Sequence, residues 1–352
     1  MNTTNRIKII CEEACAESVW IKLLLSGLIK ELKKRRMTYE QIFEAEEVSM
    51  EDSICIIGIS NAWTENTVLK CNKAECIPLV LSCQSQRAVQ GQYHLICADI
   101  KNAAKKLKEA ISLAGRSKIA LYGANFFADL DKDRTSIFSQ LISEPSDIYA
   151  NTGNLETCFR SFLPKAALYD AVICVNGYAA ISLVKKLEKE KPALLENLAI
   201  VSFEEVLKHS KYNDWISLMD LNLESYGAAA MAVLDMAALR SDISVITVRM
   251  NAKVCDIQVK DIENPALLEE ETAYYEDPEI VLMEKIEQLL RDADDLDHHI
   301  IAMLMDNAKY SDIADSCYMT EGNVKYRVKK YMNVSGCSTK RELIELLQEY
   351  LQ

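Results

Sequence analysis

From residue 7 to about residue 255 the chain alternates short apolar runs with longer amphipathic ones, and few folds accommodate that order. The runs are Ile7–Cys11, Ser53–Ile59, Pro78–Cys83, His94–Ala98, Lys118–Tyr122, Ala171–Val175 and Leu198–Phe203. Many of them are continuously apolar, which is the pattern of a parallel strand buried on both faces. The segments Glu17–Arg36, Ile100–Ala114, Arg134–Ser143, Ala179–Glu190 and Leu223–Leu239 have helical spacing. Strand then helix, repeated, predicts an α/β architecture with parallel sheets covered by helices on both faces. About 250 residues is more than one such sheet usually needs, so two similar lobes are the economical arrangement.

Glycine (10) and proline (6) are scarce in the 352 residues, which removes fibrous and linker-dominated classes. Twelve cysteines are dispersed without a CxxC pair, several of them inside apolar runs, such as Cys55, Cys83, Cys97 and Cys174. They read as reduced packing residues rather than zinc ligands or a redox pair, and no metal or cofactor is expected. Met1–Arg6 leads straight into an apolar strand, and no run approaches about 18 uncharged apolar residues, so a cytoplasmic protein without a membrane span is expected.

The composition changes after Pro265. Between Pro265 and Asp295 eleven acidic residues face only Lys285 and Arg291. Asp277-Pro278 predicts a helix start, with Asp at the N-cap and Pro at the first helical position. Leu282, Ile286 and Leu289 then share one face, which predicts packing against another surface, a partner subunit being one option. Beyond residue 296 only short helices are indicated: Asp297–Met305, Ser311–Cys317, Glu321–Asn333 and Thr339–Leu351, the last with Ser338 as N-cap.

The net charge of the chain is −13, yet Thr320–Arg341 carries six bases (Lys325, Arg327, Lys329, Lys330, Lys340, Arg341) against Glu321 alone. A local concentration of cations within an acidic chain is the footprint of a phosphate-contacting surface. Val324 and Val328 face inward, and Lys325, Arg327, Lys329 and Lys330 read as outward-facing. The pattern Ile313-Ala314, Thr320, Val324-Lys325, Gly336 and Thr339 to Glu342 resembles the LuxR-type C-terminal helix-turn-helix, without a gap from Ile313 to Leu343. The chain departs from that family at its Leu-Thr-x-Arg-Glu opening, where Leu296-Asp297-His298-His299 stands, at Tyr331 in place of an aliphatic residue, and at Val334 and Ser335. The resemblance implies that Lys325, Tyr326 and Lys329 face base edges, and that Thr320, Asn323 and Lys340 contact phosphates.

Residues 7–255 resemble the type I periplasmic-binding-protein fold of lactose-repressor-family sensors. The similar stretches are Lys8–Met37 with Gly27 at the helix glycine, Arg134-Thr-Ser-Ile-Phe138, Ile173-Cys-Val-Asn176-Gly177, Ile200-Val-Ser-Phe203-Glu204-Glu205 and Leu218–Gly227, in the family's order. In such a fold a ligand sits between the lobes at the C-terminal strand ends. By position, Ser18, Trp20, Trp63, Arg134, Asn176 and Glu204 are the implied pocket residues. Packing is the competing reading for Trp20 and Trp63, and a surface ion pair with Asp131 or Asp133 is the competing reading for Arg134.

No GxSxG, HExxH or phosphate-binding glycine loop occurs, and the neighbouring His298 and His299 lack a metal-ligand set. The sequence therefore predicts a non-enzymatic regulator with a two-lobed sensor (1–262), an acidic connector (263–295) and a helix-turn-helix unit (296–352). Double-stranded DNA, a small-molecule effector such as a sugar or other metabolite, and a second copy of the chain in a homodimer are the implied partners. The alternative is a cytoplasmic sensor or adaptor whose C-terminal helices bind protein instead of DNA.

Overall fold

The computed structural model describes residues 6–16, 18–43, 45, 48–49, 51–85, 89–126, 128–203, 210–240, 242–254 and 277–351. Two six-stranded sheets form two lobes. The first holds β1 (Arg6–Cys11), α1 (Val19–Lys34), β2 (Thr38–Ile42), β3 (Ser53–Ile57), α2 (Asn61–Lys73), β4 (Leu79–Leu81) and β5 (His94–Ala98). The chain crosses through α3 (Ile100–Leu113) to the second: β6 (Ile119–Ala124), α4 (Asp129–Phe138), β7 (Ile148–Ala150), α5 (Leu155–Phe162), β8 (Ala171–Cys174), α6 (Gly177–Glu190), α7 (Pro192–Leu195), β9 (Ala199–Phe203) and β10 (Ile216–Asp220). Helix α8 (Tyr226–Leu239) returns to the first lobe, β11 (Thr247–Met250) pairs with β5, and β12 (Lys253–Val254) pairs with β10.

Strand order is β11-β5-β4-β3-β1-β2 in one sheet and β12-β10-β9-β8-β6-β7 in the other. Among these pairs β10–β12 alone is antiparallel. Each order reverses beside its first strand, between β1 and β3 and between β6 and β8. The loops there diverge and leave a crevice at the C-terminal strand ends, where open α/β sheets bind ligands. The central strands β4, β5, β6, β8 and β9 are buried along their whole length, as their unbroken apolar sequences require. The strands that the sequence pattern did not reveal are β2, β7, β11 and β12 at sheet edges, and β10 beside the two-residue β12. An edge strand carries polar residues on an exposed face, so its apolar signal is diluted.

Helices α2 and α5 were also not predicted. The sequence of α2, NAWTENTVLKCNK, is rich in Asn, Thr and Cys, which are weak helix formers. Its Ser60 N-cap accepts a 3.2 Å hydrogen bond from the Trp63 N–H and secures a start that propensity alone does not. Eight of the eleven described cysteines are buried, and none forms a disulfide among the described residues. Burial pushes the Cys55 thiol up to about 12, so it stays neutral and packs as a small apolar group.

Five helices follow: α9 (Pro278–Arg291), α10 (Asp295–Met305), α11 (Tyr310–Ser316), α12 (Glu321–Ser335) and α13 (Lys340–Tyr350). The start of α9 is the predicted one, with the Asp277 carboxylate accepting from the Glu279 N–H at 2.9 Å. The other Asp277 oxygen accepts from the Leu155 N–H at 2.7 Å, so one carboxylate caps two helices and ties α9 to the second lobe. The buried stripe of α9 is Ile280, Met283, Ile286 and Leu289, with Leu282 packed at its margin. This stripe is covered by the chain itself, against α12 and α6, and is not available to a partner subunit. The acidic residues before Asp277 lie outside the described residues.

In the C-terminal unit α11 and α12 are joined by the four residues 317–320, and Ile313, Val324, Val328, Leu343 and Leu347 are buried together. Two helix starts differ from the sequence expectation. Helix α10 opens at Asp294, whose side chain forms a reciprocal capping box with Asp297, and α13 opens at Thr339 with Glu342 instead of at Ser338. Asp297 is almost fully buried and takes hydrogen bonds from the Tyr331 hydroxyl and the Arg327 guanidinium. Two departures from the LuxR-type pattern, Asp297 and Tyr331, are therefore partners of each other. Arg327, read from sequence as outward-facing, turns back onto Asp297 and onto Asp294 at 3.1 Å.

The far end of the unit is seated on the second lobe. Lys185 on α6 pairs with Glu349 at 2.6 Å and donates to the Tyr350 hydroxyl at 2.8 Å. Lys186, one residue on, pairs with Glu279 at the start of α9. No described helix is long and apolar enough to cross a membrane.

Candidate ligand cavity and candidate nucleic-acid interface

The two lobes meet across the C-terminal ends of their sheets. Helix α4 of the second lobe reaches over with two carboxylates. Asp129 accepts from the Asn61 N–H at 2.7 Å, and Asp133 accepts from the Ser85 N–H at 2.6 Å and its hydroxyl at 2.7 Å. Between them lies Arg134, fully buried, with its guanidinium 5.4 Å from the Trp20 ring and 4.6 Å from the Phe203 ring. It donates to the Val175 carbonyl at 3.3 Å. A guanidinium between two aromatic faces is held by cation–π attraction, strengthened by desolvation. Trp20 belongs to the first lobe, and Phe203 and Val175 to the second, so Arg134 bridges the two lobes. Its complete burial rules out a surface ion pair; Asp133 binds Ser85, and Asp131 accepts from the Asn176 amide at 3.0 Å.

Beside Arg134 is a cavity of about 350 Å³. The first lobe contributes Ala14, Cys15, Ser18, Val19, Trp20 and Ile59, and the second contributes Ala128, Leu130, Asp131 and Tyr178. The remaining wall is α9, through Ile280, Val281, Glu284, Lys285, Glu287, Gln288 and Arg291. Trp20 and Tyr178 meet edge to face with ring centres 6.5 Å apart. Loss of hydration at the rim raises the Glu284 carboxyl, although its side chain keeps exposed surface.

Of the six pocket residues proposed from sequence, Ser18 and Trp20 line the cavity. Arg134 and Asn176 stand behind its wall; Asn176 caps α6 by accepting from the Ala179 N–H at 2.9 Å. Trp63 packs against the first-lobe core and over Gly58, away from the lining. Glu204 lies outside the described residues. The α9 residues had no signal of this kind, because the apolar stripe of a helix does not show what its polar flank faces.

No protein-family model and no curated protein matches the sequence. Solved structures match it in fold. A lac repressor dimer bound to operator and the anti-inducer ONPF aligns with a TM-score of 0.58 at 10% identity, over 73% of this chain and 94% of that one. A LacI transcriptional regulator from Lactobacillus brevis aligns at 0.55 and 10% identity, over 71% and 99%. The transcriptional regulator CelR in complex with cellobiose aligns at 0.54 and 9% identity, over 72% and 85%.

The two lobes have the fold of these regulators. The likeness covers the two lobes, and the C-terminal helices lie beyond it.

On those helices Thr320 caps α12 by accepting from the Asn323 N–H at 3.3 Å. Along α12, Asn323, Lys325, Tyr326, Lys329 and Lys330 are exposed, Tyr326 at 75%. Lys325 pairs with Glu321 one turn back at 2.7 Å. Lys340 is drawn inward: it donates to the Ala308 carbonyl at 2.8 Å and lies 4.5 Å from the Tyr310 ring centre, and desolvation lowers its pKa. Arg341 pairs with Glu345 at 2.6 Å. The exposed basic surface is thus narrower than the sequence count, and it centres on Lys325, Lys329 and Lys330.

Proposed function

We propose that this protein is a ligand-responsive transcription regulator, in which a small molecule in the inter-lobe cavity sets the DNA affinity of the C-terminal helices. The supporting observation is the joint placement of α9, whose one flank lines the cavity while its apolar stripe packs on α12, the helix that exposes Lys325, Tyr326 and Lys329. In this reading the sensor (1–262), connector (263–295) and helix-turn-helix unit (296–352) are the working parts, and the protein acts in the cytoplasm without enzymatic activity. Thr320 and Asn323 contact phosphates, Lys340 joins them on leaving the Ala308 carbonyl, and Lys325, Tyr326 and Lys329 meet base edges. Similarity of the two-lobed fold to regulators, one of them solved with cellobiose, supports the ligand-sensing half of the proposal.

The test is selection of duplexes from a random or genomic library with the full chain. Lys329→Ala is expected to weaken binding to the selected duplex by about 1–3 kcal/mol and to relax its sequence preference. Lys325→Ala is expected to cost less, because Lys325 already spends part of its charge on Glu321. Unchanged affinity and preference in Lys329→Ala at fixed salt would sink the base-contact assignment. One observation favours the adaptor reading: Arg327, Lys340 and Arg341 are engaged within the chain. Failure to enrich any duplex, with or without a metabolite extract, would decide for it.

A single unit of this size reads few base pairs, so the reading includes a dimer on two half-sites about one helical turn apart. Its contacts lie on the sensor lobes, since the apolar stripe of α9 is already covered. Sedimentation at micromolar concentration is expected to show a dimer, and a monomer both free and on DNA would contradict it.

A further inference from the structure

We infer that α9 is itself a ligand-binding element, and that the cavity takes a small molecule with an apolar body and a cationic amine that meets Glu284 on α9. This rests on the regulator reading only for its consequence, the control of DNA affinity; the binding claim stands on the cavity alone.

The charges around the cavity decide the ligand class. Arg291 and Glu287 neutralise each other at 2.8 Å. The Asp131 carboxylate accepts from the Asn176 amide, a neutral group that leaves a negative charge on this wall. Lys285 sends its ammonium away from the cavity: Nζ lies 3.1 Å from where a Cβ on Gly336 would stand, at the C-terminal end of α12. A cation is favourable there because the last carbonyls of a helix lack partners. Opposite, on α9, Glu284 has no hydrogen bond or ion pair among the described residues. The loss of hydration that raises its carboxyl adds to the gain from an incoming cation.

The rest of the lining is mainly apolar, with Trp20 and Tyr178 as its aromatic walls. Trp20 is only 9% exposed, yet its indole N–H has no acceptor among the described residues. A buried donor without a partner is costly, and the face of an aromatic ring on a bound molecule can accept it weakly. An anionic ligand would face Glu284, and a polyol would leave most of its hydroxyls against apolar walls. An amine carried on an aromatic body meets Glu284 with its ammonium and offers the indole N–H a ring face.

The consequence follows from where the contacts fall. A ligand that touches both lobes and α9 stabilises only the arrangement in which α9 is docked, and through α9 it fixes the position of α12. The small molecule thus reaches the C-terminal unit through one helix, without a relay through the sheets.

Isothermal titration of the full chain with phenethylamine, phenylacetate and glucose tests the inference. Phenethylamine is expected to bind, and the other two are not. Glu284→Gln, which keeps shape and loses charge, is expected to weaken the amine about tenfold or more, the size of a charge-assisted hydrogen bond. Bound amine is also expected to slow labelling of Cys15, a lining thiol, by N-ethylmaleimide, read by peptide mass spectrometry. Absence of amine binding, or preference for phenylacetate or glucose, would overturn the ligand class. Loss of binding in Trp20→Ala with no change in Glu284→Gln would place the ligand in the cleft without α9 and overturn the inference. Duplex binding measured on the same samples separates these outcomes from failure of the regulator reading.

Discussion

Gly227→Ala is expected to destabilise the protein by about 3 kcal/mol or more, the upper end of overpacking costs. Helices α1 and α8 cross with their backbones in contact. A Cβ on Gly227 would stand 2.0 Å from the Gly27 carbonyl oxygen, and one on Gly27 would stand 2.2 Å from the Glu224 carbonyl oxygen. The obstacles are main-chain atoms and cannot swing aside as a side chain does, so the helices must separate. Separation would also strip contacts from Leu24 and Leu28 on α1 and from Met231 on α8, all buried. Alanine favours helix over glycine by about 1 kcal/mol, so the observed loss would understate the clash. Gly322→Ala is the internal control: the nearest atom to its Cβ is the Thr320 Oγ1 at 3.7 Å, and stability should stay within about 1 kcal/mol of the parent. Urea unfolding of the three chains checks this, and a Gly227→Ala protein as stable as the parent would refute the close crossing.

Asp297→Ala is expected to cost about 2–3 kcal/mol in the C-terminal unit, below the range for breaking a fully buried pair because Arg327 keeps Asp294 and some solvent. The substitution removes half of the α10 capping box and leaves the Tyr331 hydroxyl buried without its acceptor. On the proposed function, duplex binding should fall together with the stability of this unit. The same carboxylate makes the unit sensitive to acid. Burial alone would raise its pKa, but the hydrogen bonds from Tyr331 and Arg327 outweigh burial and hold it below the ordinary aspartate value. Its stabilisation is therefore complete above the unfolded value near 4 and is lost as pH falls through the lower folded value. Unfolding of the parent should be pH-dependent in that acidic window, and that component should vanish in Asp297→Ala. A parent and variant with the same acid profile would show that Asp297 does not carry it.

The central strands were legible because burial on both faces leaves an uninterrupted apolar sequence, as in Ile54–Ile57 and Ala171–Cys174. The edge strands were not, because Thr38–Ile42 and Thr247–Met250 keep polar residues on exposed faces. Asp277-Pro278 placed the start of α9 to the residue, since capping chemistry is local. Trp20 and Ser18 were found through their position after the first strand, while Tyr178, Asp131 and Glu284 carried no pattern that separates a cavity wall from an ordinary surface.

The sequence by itself determined the two-lobed α/β order, the helical C-terminal unit and the helix with exposed lysines, because periodicity, caps and charge act over a few residues. Only the tertiary structure decided which of those groups are free to act. Arg327 and Lys340 are withdrawn by Asp297 and the Ala308 carbonyl, Arg134 is buried between Trp20 and Phe203, and α9 covers the cavity instead of a partner. Each of these outcomes joins residues far apart in the chain. Such contacts depend on how the elements pack, and no local pattern records them.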